Sequence, residues 1–250
     1  MADAKISALT NYTTPIGTDV LPIVDVTNGI TKKIALSILQ PAAVAFPAIA
    51  SLVSYYNLEG TPNDVWMNVN PGVATAVSYG YAYGKIGQGG SFNGTSSIIV
   101  VNSPSGVPIG SSARSISAWI KTTLVSSWVS LFGYGTYATG EMFFLGVNGG
   151  KSFFSGDGAD VTGSVTVNDG NWHHLVVTYN GTTVKIYVDG VFDSSGTPFL
   201  NTVLGKIGIG GIPGTNYQVV DIDECGIWSV ELTQAQITTL YNNGYGLSLV

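Results

Sequence analysis

The two histidines of the chain stand side by side, His173 and His174, inside the stretch NWHHLVVTYNGTTVKIYVDG. Paired histidines suggest metal ligation or general-base chemistry. The surrounding pattern argues against both. Leu175, Val177 and Tyr179 alternate with His174, Val176 and Thr178, which is the period of a strand. Neighbours on a strand point to opposite faces, so this pair cannot hold one ion together. One ring is expected at the core or its rim and the other toward solvent.

Carboxylates form two further groups, Asp157 and Asp160 in SGDGAD, and Asp221, Asp223 and Glu224 in DIDE. Two carboxylates on one face can act as acid and base toward a sugar. Alternation places Asp221 and Asp223 on one face and Glu224 on the other. Neither G-x-S-x-G nor H-E-x-x-H occurs. The expectation is a protein without catalytic residues.

Aromatic rings form the last group. Tyr79, Tyr81, Tyr83, Trp128, Tyr134 and Tyr137 lie near Gly-rich turns in SYGYAYG and SSWVSLFGYGTYATGEMFF. Rings on loops can stack on the apolar face of a sugar while their polar tips bond hydroxyls. The competing reading makes Tyr79, Tyr81 and Tyr83 one ordinary strand face, with Trp119 and Trp172 in the core.

The elements that must position these groups are strands. Charged residues make up only 10% of the 250, hydrophobic ones 45%, and there are 33 glycines, a profile of short strands and tight turns. Turn signals recur at Asn93-Gly94, Asn148-Gly149, Asp169-Gly170, Asn180-Gly181 and Asp189-Gly190. After Asn180-Gly181, Val184, Ile186 and Val188 take one face and Lys185, Tyr187 and Asp189 the other. One helix is predicted, in TQAQITTLYNNG. Thr233 caps it, Gln236 completes a capping box, Leu232 and Ile237 form a staple, and Gly244 follows its end.

The net charge of −6 and the lack of any basic run exclude a phosphate-neutralising surface, so no nucleic-acid partner is expected. Pro41 and Pro47 interrupt the apolar run near residue 45, which argues against membrane insertion. The start of the chain lacks a signal-peptide pattern. A single cysteine, Cys225, rules out an intrachain disulfide.

Three parts are distinguished: a leader (1–40), an Ala/Pro linker (41–51) and a long β domain (52–250). In the leader, VLPIVDVTNGITKKIAL reads as a hairpin around Asn28-Gly29. Forty residues bury little apolar area alone, so the leader is expected to dock elsewhere.

Leu52 to Gly246 resembles the laminin-G-like, concanavalin A-like jelly rolls. The resemblance rests on LVSYYNLEG (52–60), GKIGQGGSFNGTSSIIV (84–100), SISAWIKTT (115–123), the WHH hairpin (169–190) and DIDECGIWSVELTQAQITTLY (221–241). It implies an all-β fold, a two-sheet antiparallel sandwich with a short C-terminal helix, behind an extended or hairpin N-terminal arm. It further implies a structural calcium ion at the rim, with Asp223 as the carried-over ligand and Glu59 and Asn93 beside it. Asn93, Ser96 and Ser97 stand where relatives often have aspartates, which weakens such a site. The leader (5–39) resembles the N-terminal segments of tailed-phage virion proteins. That resemblance implies a capsid or fibre protein located on the virion. It would be anchored to other virion proteins through residues 1–40, homo-oligomeric with a trimer favoured, and would display the sandwich, with a host glycan as a further partner. The rival reading is a carbohydrate-binding adhesin module, and a third is a glycan-degrading enzyme.

Overall fold

The computed structural model describes residues 20–25, 30–35 and 45–249. Residues 46–250 form one compact unit and residues 1–45 another. The larger unit is an all-β, two-sheet antiparallel sandwich with a short C-terminal helix, as the sequence predicts. In chain numbers, the seven-stranded sheet runs in the order 161–166, 151–155, 142–148, 129–135, 207–209, 98–101, 73–75. The eight-stranded sheet runs 191–196, 184–188, 172–179, 114–121, 219–228, 89–93, 78–80. Leu52–Tyr56 pairs with the second half of Val219–Trp228.

The alternation explains the core. Leu175, Val177 and Tyr179 face the other sheet, joined by Val184, Ile186 and Val188 of the paired strand. Phe143, Leu145 and Val147 face them from the seven-stranded sheet. Burying each such side chain contributes roughly 1.5–3 kcal/mol. Asp189-Gly190 joins two strands through residues with φ of 51° and 78°. That is a type I′ turn, which needs left-handed backbone at both positions.

The opposite face of the eight-stranded sheet is also covered. The helix Gln234–Tyr241 lies over it and contributes Ile237 and Leu240 to a second apolar cluster with Val176, Tyr187, Trp228 and Leu232. Thr233 caps the helix and the Gln236 capping box is formed. The helix ends at Asn242, whose φ of 48° supplies the left-handed cap expected nearer Gly244. Asn tolerates this conformation better than most residues. Phe46 and Ala48 pack on the same cluster, and Phe46 meets the Tyr55 ring edge-on and lies stacked over Trp228. Among the described residues, no helix is long and apolar enough to cross a membrane.

The sandwich is sealed along one edge by Asp193. Its carboxylate crosses from one edge strand to the other, accepting bonds from the Ser164 amide at 3.0 Å, the Ser164 hydroxyl at 2.6 Å and the Ser152 hydroxyl. In the leader, Val20–Asp25 pairs antiparallel with Ile30–Ala35, forming the expected hairpin strands. The Asn28-Gly29 turn lies outside the described residues.

Candidate functional site

The histidines are structural, though not quite as alternation predicts. His173 sits at the rim between two carboxylates, with Nδ1 2.8 Å from Asp189 and Nε2 3.2 Å from Asp169. The Asp189 bond chiefly raises its pKa, outweighing burial. Neither ring points freely to solvent: His174, on the face opposite Leu175 and Val177, is buried because the helix covers that face. Its ring lies against Trp119 and Tyr241, and burial pushes its pKa down to about 4. Nε2 is 2.7 Å from the Ser117 hydroxyl, the spacing of a base and a nucleophile. Both residues are sealed from solvent, however, and Nδ1 has no partner, so no substrate reaches them.

Of the DIDE carboxylates, Asp223 and Glu224 are buried, while Asp221 stays partly exposed. Asp221 pairs loosely with Lys121 at 3.9 Å. The register slips between Asp223 and Gly226, and Glu224 takes a φ of 51°. This bulge corrects the expected alternation. It turns Glu224 onto the face carrying Ser117, Trp119 and His174, where the Tyr55 hydroxyl donates to it. Burial raises Asp223 to about 7, and burial followed by the charge of Asp223 raises Glu224 to about 8.

The three residues implied as calcium ligands each accept from backbone amides. Asp223 accepts from the amides of Lys85 at 2.8 Å, Ile86 at 2.9 Å and Glu224 at 2.9 Å. Glu59 accepts from the Gln88 amide at 2.9 Å, so these two acids organise one turn. Asn93 caps a different turn through the amides of Thr95, Ser96 and Ser97. Asn93 pairs with Val219, four positions from Asp223 on the same strand, about 13 Å away at strand rise. Among the described residues, no three His, Cys, Asp or Glu side chains are grouped to hold a metal.

The aromatic candidates divide. Tyr134 is in the core, its hydroxyl donating to the Pro108 carbonyl at 2.8 Å, and offers no open face. Tyr79 packs partly against the core, and burial raises its pKa to about 12. The strand stops at Gly80, and Tyr81–Tyr83 form a 3-10 turn, so the three tyrosines do not share a strand face. Nor is Trp172 in the core: it is half-buried. Trp119 is buried, but on the helix-covered face, stacked on Tyr241 with the Lys85 ammonium 4.5 Å from its ring.

Trp128 and Tyr137 come together. They line a groove of about 420 Å³ on the outer face of the seven-stranded sheet, with Ser130, Ser155, Asp157 and Asp160. Each ring is 60% exposed. Trp128 immediately precedes the strand 129–135, and its φ of 61° is strained for a bulky residue. The Asn148 side chain accepts from its amide at 3.3 Å, and Phe153 supports its ring edge-on. Asp160 is engaged by the amides of Gly156 at 2.8 Å and Gly158 at 3.1 Å, which fixes the loop. Asp157 has no hydrogen-bond partner among the described residues and keeps its acceptor capacity for a ligand. The arrangement offers two ring faces, three hydroxyls and a carboxylate, the means of gripping a polyhydroxylated molecule. The sequence supplied these residue types in separate loops and gave no signal that they converge.

The comparisons with known proteins follow this architecture. The laminin G-type family model described as the concanavalin A-like lectin/glucanases superfamily matches residues 93–238. Neurexin 1 of Drosophila melanogaster is 36% identical over 77 residues, which is 30% of this chain and 4% of that protein. The chain thus spans a small fraction of the curated relatives it matches. Domain 4 of AbnA, a GH43 extracellular arabinanase from Geobacillus stearothermophilus, solved in complex with arabinotriose, superposes with a TM-score of 0.61 at 24% identity, covering 75% of this chain and 97% of that one. The binding domain of Paraclostridial Mosquitocidal Protein 1 gives a TM-score of 0.63 at 16% identity, over 78% of this chain and 53% of that one.

Proposed function

This chain belongs to the concanavalin A-like lectin/glucanases superfamily, and from that footing we propose that it is a carbohydrate-binding module whose ligand lies in the Trp128 groove. One observation carries the reading. An exposed tryptophan is held in strained backbone and lines one groove with Tyr137 and a carboxylate, Asp157, that has no partner among the described residues. A strained residue at a cleft points to function, and a ring beside unpaired acceptors suits a sugar. That a sandwich of this shape is found with arabinotriose supports the same ligand class here. The module binds without hydrolysing. Asp160 is tied to backbone amides, and Asp223 and Glu224 are buried elsewhere, which supports binding over acid–base catalysis.

A glycan array followed by calorimetry tests this. Wild type binds at least one glycan, and Trp128→Ala weakens it by about tenfold or more while the melting temperature stays within a few degrees. Unchanged affinity in that variant would remove the groove from consideration.

A second reading concerns the bearer of the module. The pattern of residues 5–39 supports a virion protein of a tailed phage, anchored by the leader and oligomeric, with the sandwich outward. Antibody labelling of purified particles in the electron microscope tests it, and unlabelled particles would end it.

A further inference from the structure

We propose that the Trp128 groove is half of a longer surface, and that its ligand is a linear, uncharged oligosaccharide crossing the Asp157–Asp160 loop onto Phe199. This rests on the carbohydrate reading above and extends it to ligand length and charge.

A second hollow of about 370 Å³ lies beyond that loop and shares Gly158 and Asp160 with the groove. Each hollow is at the small end of ligand pockets, about 300–1,000 Å³, and the two adjoin across Gly158 and Asp160. The second hollow repeats the composition of the first. It has one prominent ring, Phe199, and short hydroxyl side chains, Thr139 and Thr197.

Phe199 is 85% exposed, while the next residue, Leu200, is buried in the core. The segment is held in place. The Asn201 amide donates to the Gly140 carbonyl at 2.9 Å, and the Gly140 amide to the Gly156 carbonyl at 2.6 Å. A Cβ at Gly140 would lie 2.8 Å from the Phe199 carbonyl oxygen, so this close approach depends on glycine. The three loops therefore present the ring from a fixed backbone. Phenylalanine has no polar tip, so its exposed face serves only for apolar stacking.

Charge selects the ligand class. No Lys or Arg lines either hollow, and Asp160 stands at their shared border with Asp157 beside it. A uronate, sialate or phosphate placed there meets like charge in a partly desolvated cleft, which disfavours it. Neutral sugars meet acceptors for their hydroxyls.

The test is calorimetry on the full chain with neutral arabinose and glucose ladders, from disaccharide to hexasaccharide, and an oligogalacturonate ladder as the anionic counterpart. Wild type is expected to gain about tenfold in affinity with length on the neutral ladder it binds, and to ignore the anionic one. Phe199→Ala, at an exposed position, is expected to lose that gain while keeping the disaccharide affinity. Trp128→Ala loses both. Affinity independent of length, a Phe199→Ala profile matching wild type, or equal binding of oligogalacturonate would overturn the extended neutral surface while leaving the groove itself standing. Failure of wild type to bind any glycan, in these ladders and on the array, would overturn both readings.

Discussion

Replacing Glu224 by Gln should make the protein more stable at alkaline pH and leave it nearly unchanged at mildly acidic pH. Glu224 is buried, accepts from the Tyr55 hydroxyl and lies beside Asp223. Burial first, and the Asp223 charge second, lift its pKa from 4.5 to about 8 against the hydrogen bonds of Tyr55 and Ser248. The unfolded chain ionises this group near 4.5, whereas the folded chain keeps the proton until about 8. Folding therefore takes up a proton in that window, and stability falls as pH rises through it. The full swing for this group is on the order of 5 kcal/mol. Asp223, raised to about 7, acts in the same direction. His174, lowered to about 4 by burial, acts oppositely, its contribution growing as pH rises from about 4 to 6.5. The difference between wild type and variant removes the His174 contribution and reports Glu224 together with its coupling to Asp223. Gln keeps an acceptor for Tyr55 and cannot ionise. Urea unfolding at pH 5 and pH 8.5 should give curves that coincide at the lower pH and diverge by several kcal/mol at the higher one. Parallel pH profiles for the two proteins would refute the claim that a buried proton resides at this bulge.

Asp193→Ala removes the acceptor that joins the two edge strands and leaves the Ser152 and Ser164 donors unmatched, so stability should drop by about 2 kcal/mol in urea unfolding. A loss below a few tenths would show that the seam holds without it. Dialysis against a chelator should leave the melting midpoint where it was, because Asp223, Glu59 and Asn93 already hold backbone amides; a fall of several degrees would reinstate a bound cation.

Period-two signals are local, and they carried well. The inward set Leu175, Val177 and Tyr179, the Asp189-Gly190 turn and the Thr233 cap are each encoded within a few neighbouring residues, and each is found. The burial of His174 was not legible, because it depends on Tyr241 arriving from far along the chain. The Glu224 bulge was hidden too: an inserted residue reverses alternation, and the positive φ falls on Glu224 rather than on nearby Gly226. At the candidate site, the ring-bearing loops were visible but their meeting was not. Trp128, Tyr137 and Asp157 lie on three separate connections, and only strand order brings them to one face. Phe199 gave one faint sign, an apolar pair after Pro198 in which only Leu200 can enter the core.

The position of the site follows from what covers the rest of the sandwich. A sheet has two faces, and each must be packed, solvated or used. The inner faces make the core. The outer face of the eight-stranded sheet is closed by Leu232, Ile237 and Leu240. One edge is bound by Asp193, and at the other the chain crosses directly from Val73–Thr75 to Ser78–Gly80. The outer face of the seven-stranded sheet is closed over Met142 and Phe144 by Ile212, and beside that patch it opens into the groove. The C-terminal helix thus covers Val176, Tyr187 and Trp228 on the outer face of the eight-stranded sheet, while the seven-stranded sheet stays open beside Ile212. The connections at 122–128, 136–141, 156–160 and 197–201 place the rings and carboxylates around that open area.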